Sequence, residues 1–170
     1  LIIYTLTVAL SKVFSRIRMT RQNVAWLFST VFNVGTLPKA PGTWGSLAAL
    51  IGWFIFMQWG TQEVFLILTG FIFFGGVISS EIVSKTLKAI DPYVVVIDEW
   101  VGQWIALWFV PVTLCWGLLA FFLFRLFDIF KPGPIKSMES LPSGLGIMMD
   151  DVVAGLFSLF ITHSLIYYIG

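Results

Sequence analysis

Hydrophobic positions fall in long unbroken runs along this chain, and polar positions gather in the short gaps between them. Four apolar stretches stand out: Trp44–Trp59, Val64–Ser80, about Val101–Phe124, and Val152–Ile169. The first two are joined by the polar turn Gly60-Thr61-Gln62-Glu63. Runs of this kind predict helices immersed in lipid. At 1.5 Å per residue, the stretches of 16 to 18 residues reach only ~24–27 Å, slightly short of a ~30 Å hydrocarbon core. They span by thinning the bilayer locally or by carrying a turn of polar flank into it.

The third stretch sets the topology. As one helix it crosses once and puts Arg125–Asp151 on the side opposite Lys85 and Lys88. As two short helices turning at Pro111-Val112-Thr113, it crosses twice and returns. Pro111 lacks an N–H and disfavours helix at Val110, which makes a turn there physically reasonable. Charge placement favours the hairpin. All ten Lys and Arg residues then lie on one side, whereas a single kinked crossing splits them seven to three. The expected fold is all-α: a polytopic membrane helical bundle of about five short transmembrane helices, including one hairpin turning at Pro111, plus an N-terminal interfacial amphipathic helix. A single domain is expected over residues 1–170, with an interfacial region at 1–30 and the core at 31–170.

Spacing carries the reading of the N-terminal helix. Leu10, Val13, Phe14 and Ile17 recur at helical intervals opposite Lys12, Arg16, Arg18 and Arg21, as in a helix lying in the membrane interface. The chain begins at Leu1 rather than Met, as a trimmed N-terminus would. The run Leu1–Leu10 is too short to span, and basic residues that follow it are in the wrong order for a signal peptide. A frayed chain end is the plain alternative.

Composition agrees with this picture and excludes other classes. Hydrophobic residues make up 58% of the 170, and charged residues only 11%. A soluble domain carries about 25% charged residues. A disordered tail and a basic nucleic-acid binder are excluded, and a cytosolic globular enzyme is disfavoured. The net charge of +1 gives no large field for steering anionic partners. A lone cysteine, Cys115, excludes an internal disulfide framework and a cysteine-cluster metal site. Membrane lipids are the expected surroundings; no nucleic acid is expected, and no protein partner is inferable. The eight Trp residues mostly sit near span ends and read as interfacial anchors.

With the hairpin, eight of the nine acidic residues gather on the cytoplasmic face, and only Glu63 lies outside. The pairs Asp98-Glu99 and Asp150-Asp151 each fall in the first turn of a helix, where acidic side chains suit the dipole. That alone would account for either pair. Two pairs plus Asp128, all flanking nearly charge-free spans, ask for more, because ionisable groups at membrane depth are costly. Clustered carboxylates repel unless a cation sits between them. Hard oxygen ligands of this kind suit Mg²⁺ bound together with a substrate phosphate.

Lys39, Arg125 and Lys131 stand near enough to hold such a phosphate. Arg125 and Asp128 are three apart and share a helix face, so a local ion pair accounts for them equally well. The loop Leu37–Ser46 enters the first span with Thr43 as an N-cap, and the free amides of that turn form an anion site; an ordinary capped loop is the alternative. A second loop, Pro142-Ser143-Gly144-Leu145-Gly146, leads into Asp150-Asp151. Other chemistries lack their residues. Cys115 is ten positions from Arg125, so no Cys-x5-Arg signature exists, and His163 stands alone in the last span as a packed or interfacial histidine. There is no Walker loop and no Asp-Gly-x2-Ala-Arg signature of the phospholipid alcohol-transferases.

Four blocks, Leu37–Leu50 (LPKAPGTWGSLAAL), Ile97–Leu107 (IDEWVGQWIAL), Phe124–Ile135 (FRLFDIFKPGPI) and Gly144–Gly155 (GLGIMMDDVVAG), occur in that order. Together they make the chain resemble the bacterial phosphatidylglycerophosphatase A family over about residues 30 to 165. The resemblance implies a Mg²⁺-dependent phosphatase of the bacterial inner membrane that hydrolyses phosphatidylglycerophosphate to phosphatidylglycerol and inorganic phosphate. Its acidic pattern falls on Asp98, Glu99, Asp128, Asp150 and Asp151, with Lys131 in the Lys-Pro-x-Pro-Ile block. Two departures stand out: Gly133 occupies a position that is often aromatic, and Glu139-Ser140, in a shorter loop, replaces an Asp-Arg pair.

The expected division of labour has Asp98, Asp150 and Asp151 holding Mg²⁺, with Asp128 as a further ligand or an orienting group. Glu99 is the general base, so that Glu99, Asp128 and Asp98 form the catalytic group. Lys39, Thr43, Arg125 and Lys131 face the phosphate. A small cation transporter or channel, and a non-catalytic membrane subunit, are the alternatives.

Overall fold

The computed structural model describes residues 17–169, all of whose regular structure is helical. Most of the expected interfacial helix, including the run Leu1–Leu10, Lys12 and Arg16, lies outside the described residues. What is described of it is helical over 17–29 (α1). A short 3₁₀ turn, Val34–Thr36, follows. The remaining helices are α2 (Pro41–Phe56), α3 (Gln62–Leu87), α4 (Ile97–Ala106), α5 (Leu114–Phe130), α6 (Gly133–Met138) and α7 (Ser143–Ile169).

Helix stops at Ala106 and restarts at Leu114, so the expected break around Pro111 is present. Thr113 caps the restart: its Oγ1 accepts from the Trp116 N–H at 3.4 Å. At 26 and 27 residues, α3 and α7 are long and apolar enough to cross a membrane. α2 and α5, at 16 and 17 residues, reach ~24–26 Å. α4 has 10 residues and reaches ~15 Å, half of a hydrocarbon core.

Three local expectations are corrected. Thr43 is not an N-cap: α2 begins at Pro41, and Ala40 precedes it with no side-chain cap. Proline presets the helical φ and needs no N–H partner at the first position, so it moves the start upstream. Asp150 and Asp151 do not occupy a first turn either. α7 starts at Ser143 and takes in the expected loop, which places both aspartates two turns inside the helix. The glycines there serve close packing rather than a loop: a Cβ on Gly144 would lie 2.0 Å from the Val77 carbonyl oxygen of α3. Nor are all the tryptophans anchors. Trp53 is fully buried and Trp104 nearly so, packed with Phe65 in the core, and Trp104 Nε1 donates to the Ala49 carbonyl at 2.9 Å.

The shortest helix is the hub. α4 is buried along almost its whole length and touches α2, α3, α5 and α7. Lipid tails are as apolar as the side chains, so helices in a bilayer associate through close backbone approach at small residues. Here Gly102 of α4 meets α7: a Cβ on it would lie 2.6 Å from the Asp151 carbonyl oxygen and 2.5 Å from Phe124 of α5. Gly155 of α7 reciprocates, 2.4 Å from the Gly102 carbonyl oxygen on the same basis. These two glycines set where the acidic turn of α7 lies against α4.

Gly155→Ala is therefore expected to destabilise the bundle by about 1–3 kcal/mol, read as a lower thermal midpoint in detergent. Gly70→Ala, whose Cβ would enter open space, leaves the midpoint nearly unchanged.

Candidate active site

Three helices bring their charges to one end of the hub. α4 supplies Asp98 and Glu99 in its first turn, as expected. The loop before it is pinned by buried Val94, Val95 and Val96, whose Val96 N–H donates to the Ser29 carbonyl at 2.9 Å. α7 supplies Asp150 and Asp151, both buried. α5 supplies Arg125 and Asp128 from its last turns, and Lys131 from its C-cap.

Asp98, Glu99 and Asp151 offer carboxylate oxygens that all lie within 4.8 Å of one another. Asp98 and Asp151 are less than a tenth exposed. Glu99 Oε2, Asp150 Oδ1 and Asp151 Oδ1 are buried without a hydrogen-bond partner. Anionic oxygens crowded and orphaned in this way repel one another and have lost their water, a costly arrangement unless a cation joins them. The cluster can hold a hard metal ion.

Two cations flank the carboxylates. Arg125 Nη1 lies 2.5 Å from Asp128 Oδ2, 4.0 Å from Glu99 Oε1 and 3.2 Å from Ser46 Oγ of α2. The i,i+3 ion pair, the alternative to a phosphate contact for Arg125, is therefore present, and it is one arm of a larger link between α5, α2 and α4. Lys131 Nζ bridges Asp150 Oδ2 and Glu139 Oε1, each at 2.7 Å. Glu139, the acid in the shortened loop, thus closes onto the site. Lys131 adopts a left-handed backbone (φ 43°) that ends α5 before Pro132. Glycine would take that conformation freely; a lysine there accepts strain and places a cation on the carboxylates. Burial opposes the Lys131 charge, yet its two carboxylate partners hold its pKa above the ordinary lysine value. Desolvation pushes the Asp91 carboxyl up, with Lys131 opposing and Glu139 and Asp128 reinforcing.

A cavity of about 190 Å³ opens over these groups, lined by Pro41, Gly42, Asp91, Tyr93 and Val95 together with Asp98, Glu99, Asp128, Lys131, Asp150 and Asp151. Of the expected phosphate contacts, Lys131 faces this cavity. Arg125 stands behind Asp128 and Glu99. Lys39 is exposed in the loop before α2, and Thr43 lies one residue beyond the cavity-lining Gly42. His163 is remote and packed, its Nε2 2.8 Å from the Trp108 carbonyl oxygen.

The sequence profile described as "Phosphatidylglycerophosphatase A" matches residues 27–166. The chain belongs to the phosphatidylglycerophosphatase A family. It is 37% identical over 148 residues to the phosphatidylglycerophosphatase A of Haemophilus influenzae, covering 86% of this chain and 91% of that protein. With its Escherichia coli counterpart it shares 34% identity over 160 residues, 92% of this chain and 88% of the other. A Bacteroides thetaiotaomicron protein named as a candidate phosphatidylinositol-3-phosphatase is 37% identical over 155 residues, 85% of this chain and 94% of its own length. No solved structure matches the chain.

Within this family member, Gly42 and Ser46 are site residues that sequence reading passed over. A Cβ at position 42 would lie 2.0 Å from Glu99 Oε1, so the glycine is what lets Glu99 reach its place. Its i,i+4 partner Ser46 was the available signal, since both sit on the α2 face toward the charges. Gly42→Ala is expected to lower phosphate release roughly tenfold or more by displacing Glu99, with little change in thermal midpoint. A malachite-green assay beside a melting curve checks it.

Proposed function

We propose that the chain hydrolyses phosphatidylglycerophosphate to phosphatidylglycerol and inorganic phosphate, with Mg²⁺ as cofactor. The observation that carries the reading is the triad of crowded, partly orphaned carboxylates beside Lys131, within a chain of this family. Asp98, Glu99 and Asp151 would hold the ion, with Asp150 and Asp128 completing or orienting the set. When bound, Mg²⁺ would polarise the phosphoryl group and offset its charge.

The chain's own side chains do the rest. Lys131 faces the cavity and neutralises the incoming phosphate monoester while keeping Asp150 in position. Arg125 fixes Asp128 and Glu99 from behind. Glu99 has two oxygens for two duties, one in the ligand set and the other free to take a proton from the attacking water. Lys39 and Thr43 border the entrance beside Pro41 and Gly42, where a headgroup enters from the membrane surface.

The topology that fits this chemistry is a multi-pass protein of the bacterial inner membrane. The membrane segments would be α2, α3, the α4–α5 hairpin and α7, all in one domain, with the site at the cytoplasmic ends. Support comes from the basic residues at that end: Lys85 and Lys88 close α3, and Arg125 and Lys131 close α5. A cation path through the bundle is disfavoured, because buried Trp104, Leu107, Trp53 and Phe65 fill the interior beyond the carboxylates.

Purified protein presented with phosphatidylglycerophosphate in mixed micelles is expected to release phosphate with Mg²⁺ and to stop in EDTA. Asp98→Asn, Asp128→Asn and Asp150→Asn each lower turnover by roughly a hundredfold or more. Wild-type turnover in all three would reject the site. Phosphatidylinositol 3-phosphate, suggested by the name of the Bacteroides relative, serves as the competing substrate, and faster release from it would overturn the substrate assignment.

A further inference from the structure

A second concave surface lies on the far side of α3 from the carboxylates. α1 runs along α3, with Gln22 Nε2 donating to Thr86 Oγ1 at 3.4 Å and Phe28 packed on Gly75. Between them is an apolar groove of about 640 Å³, walled by Val24, Phe28, Gly75 and Ile78. It continues into a second hollow of about 670 Å³ at the end of α3, where Arg18, Arg21, Lys85 and Lys88 meet. Both volumes fall in the ~300–1,000 Å³ range of small-molecule sites. Lys85 is paired with Glu81. Arg18, Arg21 and Lys88 form no ion pair among the described residues.

Hydrocarbon walls on one side and three uncompensated cations at the mouth match one kind of ligand. Its tail must be apolar and its head anionic, with the head at the cytoplasmic end. Basic pockets between membrane helices on that side recognise acidic lipid headgroups. We propose that the α1–α3 groove is an accessory binding site for an anionic phospholipid of the cytoplasmic leaflet. An acyl chain lies along Val24 and Ile78, and the phosphate sits among Arg18, Arg21 and Lys88. No residue of the catalytic cavity takes part, so this assignment stands or falls apart from the proposed hydrolysis.

The full-length protein, delipidated in detergent and titrated with dioleoyl-phosphatidylglycerol or dioleoyl-phosphatidylcholine, tests this by native mass spectrometry. Wild type is expected to retain phosphatidylglycerol in preference to phosphatidylcholine. The double variant Arg21→Gln/Lys88→Gln loses roughly thirtyfold of its phosphatidylglycerol affinity, the equivalent of about 1 kcal/mol per cation. Val24→Trp, at an exposed groove position, weakens retention of both lipids by filling the apolar wall, while Lys136→Gln, outside the groove, changes neither. Equal retention of the two lipids by wild type, or unchanged affinity in both groove variants, would overturn the proposal. So would a groove already filled by residues 1–16 or a second copy, which shows as no lipid retained.

Discussion

Mutual repulsion among buried carboxylates is the constraint that the rest of this structure answers. Asp98, Glu99 and Asp151 bring oxygens within 4.8 Å of one another in a chain with only 11% charged residues. At an effective dielectric near 20, two unit charges 4 Å apart interact by about 4 kcal/mol, so such a group cannot stay fully ionised unless a cation joins it. Lys131 and Arg125 offset part of it from the two sides, and each is itself held by a further acid or hydroxyl, Glu139 or Ser46. Three carboxylate oxygens still lack partners. An arrangement that would carry this much unfavourable charge when ionised suits the proposed arrival of a cation together with a phosphate.

The scaffold that holds the charges in place is the short α4, and its means are glycines. Gly102 and Gly155 let α4 and α7 touch backbone to backbone, Gly144 does the same between α7 and α3, and Gly42 admits the Glu99 carboxylate beside α2. Packing that leaves no room for a methyl group gives the carboxylates little freedom to move apart, which is why the cluster persists in spite of its repulsion. The strained left-handed backbone at Lys131 belongs to the same economy of position.

Long apolar runs made the helical class legible from sequence alone, and Pro111 correctly marked the break between α4 and α5. The acidic residues were legible too, because charges are conspicuous against lipid-facing sequence. Helix starts were not. Pro41 and Ser143 begin α2 and α7 upstream of the apolar runs, since polar and glycine-rich residues continue a helix when tertiary contacts cover them. Trp53 and Trp104 looked like anchors because composition cannot tell a core-facing tryptophan from a lipid-facing one. Gly42 and Ser46 carried only their shared i,i+4 face as a signal, since their roles depend on the approach of α4 and α5, far away in sequence.

On the proposed reading, the carboxylates are strained without a cation and satisfied with one. Thermal unfolding of wild type and of Asp151→Asn in detergent, each measured in EDTA and across a Mg²⁺ titration, tests this most directly. Mg²⁺ is expected to raise the wild-type midpoint, and Asp151→Asn is expected to be at least as stable as wild type in EDTA and to gain little from Mg²⁺. A wild-type midpoint indifferent to Mg²⁺, together with a variant less stable than wild type in EDTA, would contradict it.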